Sequence, residues 1–299
     1  MAIDFEVLKD NHYPHVLEKD FEPYKAFRLQ HEMQLFKHGE TVLKYFDIGE
    51  GPILLCLPGS TGKALTFYPC IEVLSKSYRM IIIDYPEADG LMSLTHKIMN
   101  FVREMGFEPM YVFANSFGTV LAQNLMIKMP AQIEGVVLAH GMTKTDQVPS
   151  KVRRYHRKGL KSFMTSIKFL NFDRFQKKFA KQLRKNVNLY NDDTSRRLFW
   201  EGIYQEMLFS TTKAEMLSNY GFMKDFWENV TFEPAQFALE DTKIIIVESY
   251  DDHESNKPEK LGLRSLFKHA DYEVLSGDSH MSMVKNSDKI SAYVEQLRR

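Results

Sequence analysis

The stretch FANSFGT (113–119) sets an ordinary serine, Ser116, between two small residues, Ala114 and Gly118. The residues before it, EPMYVF, are apolar and β-rich; those after it, TVLAQNLMIKM, follow a helical pattern. A serine on a sharp strand-to-helix corner is one way of presenting a nucleophile. Its hydroxyl is weak at its own pKa and needs an adjacent base, and the base needs a carboxylate to orient it. Both types occur downstream: His280 in SGDSH, and the adjacent acids Asp251 and Asp252 in ESYDDH. Among the ten histidines, His253 lies beside those acids and His269 sits near a helix C-terminus, where a cation is simply stabilising. His280 follows the last apolar run and precedes the final helical stretch.

These groups need a scaffold. Residues 27–37 and 40–49 alternate in polarity and are predicted to form an antiparallel hairpin after a polar lead-in. The runs PILLCLPG (52–59), RMIIIDYP (79–86), MYVFANS (110–116), IEGVVLAHG (133–141), TKIIIVESY (242–250) and DYEVLSG (271–277) are short and nearly continuous in apolar character. Such runs indicate strands covered on both faces, as in a largely parallel sheet. Helical stretches at 64–77, 91–106, 117–129, 257–269 and 282–298 alternate with them, predicting a three-layer α/β architecture of about eight strands. Residues 143–236 contain no comparable strand and are rich in Phe, Met and Lys. A structureless loop of that length is foreign to a compact domain, so this segment is predicted to be a helical cap inserted between core segments 1–142 and 237–299.

Bulk properties narrow the function classes. The hydrophobic fraction is 44% and the charged fraction 26%, ordinary for a globular protein, and 39 basic residues balance 39 acidic ones. No run approaches the roughly 18 apolar residues of a membrane span, and the first residues are too acidic and interrupted to be expected as a leader, so a cytoplasmic location is expected. Cys56 and Cys70 have neither metal-ligand nor disulfide-framework spacing, and GSTGKA lacks the spacing of a phosphate loop. No metal and no cofactor are expected.

In an open α/β sheet the ligand crevice lies outside the carboxyl ends of the strands. Ser116, the acid pair and His280 all fall at such ends, in the order Ser, Asp, His. Along nearly its whole length the chain resembles the α/β-hydrolase fold family: ANSFG matches the G-x-S-x-G nucleophile elbow, with Ala114 in the first glycine's place. The LPGSTGKALTF segment is also somewhat similar to maspardin-like members. The resemblance implies a Ser116–His280 pair completed by the acid after strand 242–250. If Glu248 occupies the glycine slot of the family's G-x-x-D pattern, that acid is Asp251; if Ser249 does, it is Asp252. The tyrosine preceding it favours Asp251. The resemblance also implies an oxyanion hole from the backbone N–H groups of Phe117 and of Ser60, the latter through alignment of PGST with the family's H-G-x segment. Asp84 is expected only to order DYPEADG.

Residues 151–185 carry thirteen Lys and Arg against one acid, Asp173, with apolar residues interleaved at helical spacing. A basic amphipathic helix can rest on an anionic membrane or steer an anionic substrate. The simpler expectation is a cap helix whose apolar face covers the pocket while its cations stay in water. Nucleic acid is not expected, because no recognition motif is present. The expected function is a serine hydrolase cleaving a carboxylic ester or related acyl bond of a small apolar substrate. Aminopeptidase, thioesterase and carbon–carbon hydrolase activities use the same residues. The alternative is a non-catalytic binding or adaptor protein on this fold, against which the complete Ser, Asp and His set argues.

Overall fold

The computed structural model describes residues 3–190, 193–237, 242–252, 257–276, 280 and 282–298. The chain opens with helices α1 (Phe5–His12) and α2 (Glu18–Gln30), then the hairpin β1 (Gln34–His38) and β2 (Thr41–Ile48). Strands and helices then alternate: β3 (Ile53–Leu57), α3 (Tyr68–Leu74), β4 (Arg79–Ile83), α4 (Leu91–Glu104), β5 (Met110–Asn115), α5 (Gly118–Lys128) and β6 (Ile133–Ala139). Helices α6 (Ser150–Phe169), α7 (Phe172–Tyr190), α8 (Thr194–Phe209) and α9 (Lys213–Asn229) occupy the interval before β7 (Lys243–Ser249). Helix α10 (Lys257–Leu266), β8 (Asp271–Leu275), α11 (Ser282–Lys285) and α12 (Ser287–Glu295) complete the order.

The eight strands form one sheet in the order β1-β2-β4-β3-β5-β6-β7-β8. β1–β2 and β2–β4 pair antiparallel and the remaining pairs are parallel. The apolar strand runs are explained by burial on both faces. Leu55, Leu57, Val112, Ala114 and Leu138 pack with α4 and α5 on one side. Leu54, Cys56, Phe113, Val137 and Val247 pack with α3 and α12 on the other. The period-two alternation thus divides between two apolar layers instead of between core and water. Cys70 of α3 is buried in the second layer with Cys56, and both thiols are free.

The predicted hairpin begins seven residues too early. Residues 27–30 belong to α2, and the first strand starts only at Gln34. The reason lies in the lead-in, which is not simply polar. Tyr13, Val16, Phe21 and Tyr24 are buried against Phe199, Trp200, Ile203 and Met207 of α8, so the N-terminal helices gain their stability from tertiary packing. Gly202, in the middle of α8, permits the approach: a Cβ there would lie 2.2 Å from the Tyr13 ring.

The order around β3 positions the site. From β3 the chain passes to β4 on one side and then crosses to β5 on the other. The sheet therefore changes winding direction between β3 and β5, and a crevice opens at their carboxyl ends. Ser60 follows β3 and Ser116 follows β5.

Candidate active site

Ser116 occupies the tight turn between β5 and α5 with φ 53°, in the left-handed region that costs a non-glycine residue roughly 1–2 kcal/mol. Surrounding hydrogen bonds hold it there. Its N–H donates to the Ala139 carbonyl at 2.9 Å, and its own carbonyl accepts from the Thr119 hydroxyl at 2.7 Å. A Cβ at Gly118 would stand 2.2 Å from the Leu57 carbonyl oxygen and 2.7 Å from that of Pro58. Ala114 is fully buried, paired with Leu57 on one side and Leu138 on the other.

His280 lies against this corner, its Nε2 2.8 Å from Ser116 Oγ. Its Nδ1 is 3.0 Å from Asp252 Oδ2. The imidazole is 19% exposed and the Asp252 side chain is wholly buried. The carboxylate against His280 is therefore Asp252, which corrects the choice of Asp251. The physical reason is the length of β7. The strand runs through Ser249, Tyr250 and Asp251 make the turn, and Tyr250 projects with 85% exposure. The Asp252 N–H turns back to the Ser249 carbonyl at 3.3 Å. Ser249, not Glu248, thus fills the glycine slot; Glu248 points to Arg264 at 2.6 Å. His269 is exposed beyond the end of α10, and His253 lies outside the described residues.

The segment after β3 runs beside Ser116. A Cβ at Gly59 would come within 3.1 Å of Ser116 Cβ, which explains the glycine next to Ser60. Several groups fix this segment. Tyr85 donates its hydroxyl proton to the Pro58 carbonyl, Gly62 N–H donates to Gly59 O at 3.0 Å, and Asn219 of α9 donates to the Thr61 carbonyl at 3.0 Å. Lys63 sits between Asp84 at 3.3 Å and Glu215 of α9 at 3.2 Å. Burial works against its ammonium, but the two carboxylates outweigh it and hold the pKa above the ordinary value. Asp84 also accepts the Ala64 N–H at 2.8 Å, so it orders this segment more than its own loop. Asn219 and Glu215 escaped the sequence reading because nothing local ties α9 to a loop some 150 residues earlier.

Above Ser60 and Thr61, helices α7, α8 and α9 enclose a cavity of about 80 Å³. Its walls are chiefly apolar, with Phe179, Leu183, Met207 and Met216 prominent, and Tyr204, Thr211 and Asn219 are among the polar residues that line it.

No protein-family model matches the chain. Over 107 residues, 32% of this chain, it is 22% identical to RutD of Agrobacterium fabrum, a candidate carbamate hydrolase, and the match spans only 41% of that protein's length. The structure is similar to that of a hydrolase from Pseudomonas aeruginosa PA01, with a TM-score of 0.71 at 12% identity, covering 89% of this chain and 98% of the other. It is similar also to the 2-hydroxy-6-oxo-6-phenylhexa-2,4-dienoate hydrolase BphD of Rhodococcus sp. strain RHA1, with a TM-score of 0.70 at 15% identity, covering 90% and 99%. The chain has the α/β-hydrolase fold.

Within this α/β-hydrolase fold one further side chain at the strand ends escaped the sequence reading. His140 follows β6 with φ 50° and is 1% exposed. Its Nε2 is 2.9 Å from Ser249 Oγ, and its ring stands edge-on to that of His280, centroids 5.4 Å apart. Burial, and then the neighbouring His280, push its pKa down to about 3, so the imidazole is neutral. The available signal was position: the run VVLAHG ends at the same edge of the sheet as the serine and the acid.

Proposed function

We propose that the protein is a serine hydrolase cleaving a carboxylic ester, or a related acyl bond, of a small apolar substrate through an acyl-enzyme. The observation that carries this reading is the hydrogen-bonded chain from Ser116 Oγ through His280 to buried Asp252, with spans of 2.8 and 3.0 Å. Ser116 attacks the carbonyl carbon while His280 Nε2 takes its proton, and Asp252 holds Nδ1–H and stabilises the imidazolium. The tetrahedral oxyanion is held by the backbone N–H groups of Phe117, which opens α5, and of Ser60. The intermediate collapses, the leaving alcohol takes the proton from His280, and water repeats the sequence to release the acid. Helices α6–α9 act as a cap, and the cavity under it takes the apolar part of the substrate. The likeness to BphD and RutD adds carbon–carbon and carbamate bonds to the range worth assaying.

The test is a fluorophosphonate, with intact mass as the readout. One adduct on the wild type, absent from Ser116→Ala and His280→Ala, is the expected result, and a panel of esters, thioesters, carbamates and aminoacyl amides follows from it. A wild type that stays unmodified by both a bulky and a small phosphonate would sink the enzyme reading in favour of a binding protein on this fold.

A further inference from the structure

The outer side of α6 carries Lys151, Arg154, Lys158, Lys161 and Lys168. Their spacing of three, four, three and seven sets them in one stripe along the helix. All five are exposed, and α6 contains no Asp or Glu. Among the described residues none of the five meets a carboxylate, whereas Arg157, turned toward α9, lies 3.8 Å from Glu228. The exposed side of α7 continues the charge with Arg174, Lys177, Lys178 and Lys181 against the single acid Asp173.

Apolar side chains stand out along this same face. The inward-facing ones, Leu160, Ile167 and Phe175, are buried as amphipathic spacing requires. Phe169 and Leu170, at the corner joining α6 to α7, are instead 82% and 52% exposed, and Tyr155 on α6 is 77% exposed. Solvated cations alone give no reason for a projecting Phe–Leu corner at the end of the stripe.

We propose that this face docks the protein on an anionic lipid bilayer, with Phe169 and Leu170 entering the headgroup region and the α6 cations against lipid phosphates. The occupant follows from charge complementarity joined to shape. An uncompensated cationic stripe selects an anionic surface, and the exposed apolar corner matches an interface that is charged outside and apolar a few ångströms within. The exposed Tyr155 on the same helix is of a residue type suited to that boundary. Among the described residues no helix is long and apolar enough to cross a membrane, so the contact is peripheral. The inner side of α7 lines the cavity through Phe179 and Leu183. Docking therefore brings the cavity's wall close to the phase in which an apolar acyl substrate dissolves. Only that last consequence rests on the hydrolase reading.

The test is co-sedimentation of the full chain with vesicles of phosphatidylcholine alone or with phosphatidylserine added. Binding is expected only to the anionic vesicles and should be lost in high salt. Lys158→Glu with Lys161→Glu should weaken it by roughly tenfold or more, and Phe169→Ser with Leu170→Ser by about the same factor. These positions are exposed, so circular dichroism should report an intact fold, and fluorophosphonate labelling without vesicles should be unchanged. Absence of binding to anionic vesicles at low salt overturns the proposal, as does capture by polyglutamate without vesicle binding. Binding that is insensitive to the Phe169 and Leu170 changes overturns the insertion.

Discussion

Asp252 Oδ2 lies 3.0 Å from His280 Nδ1, and its side chain is wholly buried, one residue beyond the acid favoured by the local pattern. The pair predicts an asymmetry between adjacent carboxylates. In Asp252→Asn the amide donates to Nδ1, forces the proton onto Nε2 and leaves His280 unable to accept from Ser116. Fluorophosphonate labelling should slow by on the order of 10³–10⁴. Asp251→Asn should leave the rate nearly unchanged, and equal losses in both variants would reject Asp252 as the orienting acid.

The ease with which the site was read tracks how local each constraint is. Ser116 and Gly118 were legible because they fall in one short motif, FANSFGT, although the carbonyls that a Cβ at Gly118 would meet belong to Leu57 and Pro58 at the end of β3. His280 was legible from chain order. Asp252 was not, because the choice depends on whether β7 ends at Glu248 or Ser249, a one-residue question that apolar pattern does not decide. The strands announced themselves through continuous apolar runs. Helices α1 and α2 did not, because their partners, Phe199 and Trp200, lie far along the chain. Alternating polarity in FRLQHEMQLFK favoured a strand, and packing of Tyr24 and Phe27 against distant aromatics overrode it.

Gly118→Ala tests the corner. The added Cβ would meet two backbone carbonyl oxygens, of Leu57 and Pro58, at 2.2 and 2.7 Å, and neither can swing aside. Strand or helix must move, at a cost of about 3 kcal/mol, with Ser116 displaced from His280. Urea unfolding should record the loss, and labelling should fall with it. Ala114→Gly removes only a buried methyl, and should cost about 1 kcal/mol and keep the labelling of Ser116.

The N-terminal helices depend on one buried carboxylate. Glu206 of α8 accepts from the hydroxyls of Tyr13 and Tyr24, each at 2.7 Å, and pairs with Arg28. Glu206→Ala leaves a part-buried guanidinium and two phenols without their acceptor, which should cost about 3–5 kcal/mol. Limited proteolysis should then cut between α1 and β1 before the sheet unfolds. Unchanged protease resistance would mean that the aromatic contacts alone hold these helices.

His140 should leave a signature in the acid limb of stability. Its pKa is about 3 in the folded chain, against about 6.5 when unfolded. Between those values the unfolded chain binds the extra proton. This contribution is therefore fully present above about pH 6.5 and lost progressively as pH falls toward about 3. One such group gives a limiting slope of about 1.4 kcal/mol per pH unit. Asn tolerates the left-handed backbone at this position and does not titrate. Urea unfolding of wild type and His140→Asn at about pH 7, 6 and 5 should therefore show the shallower pH dependence in the variant. The difference between the slopes reads His140 together with its coupling to His280, whose charge helps push the His140 pKa down. Parallel slopes would mean that His140 takes up its proton in the folded chain as readily as in the unfolded one.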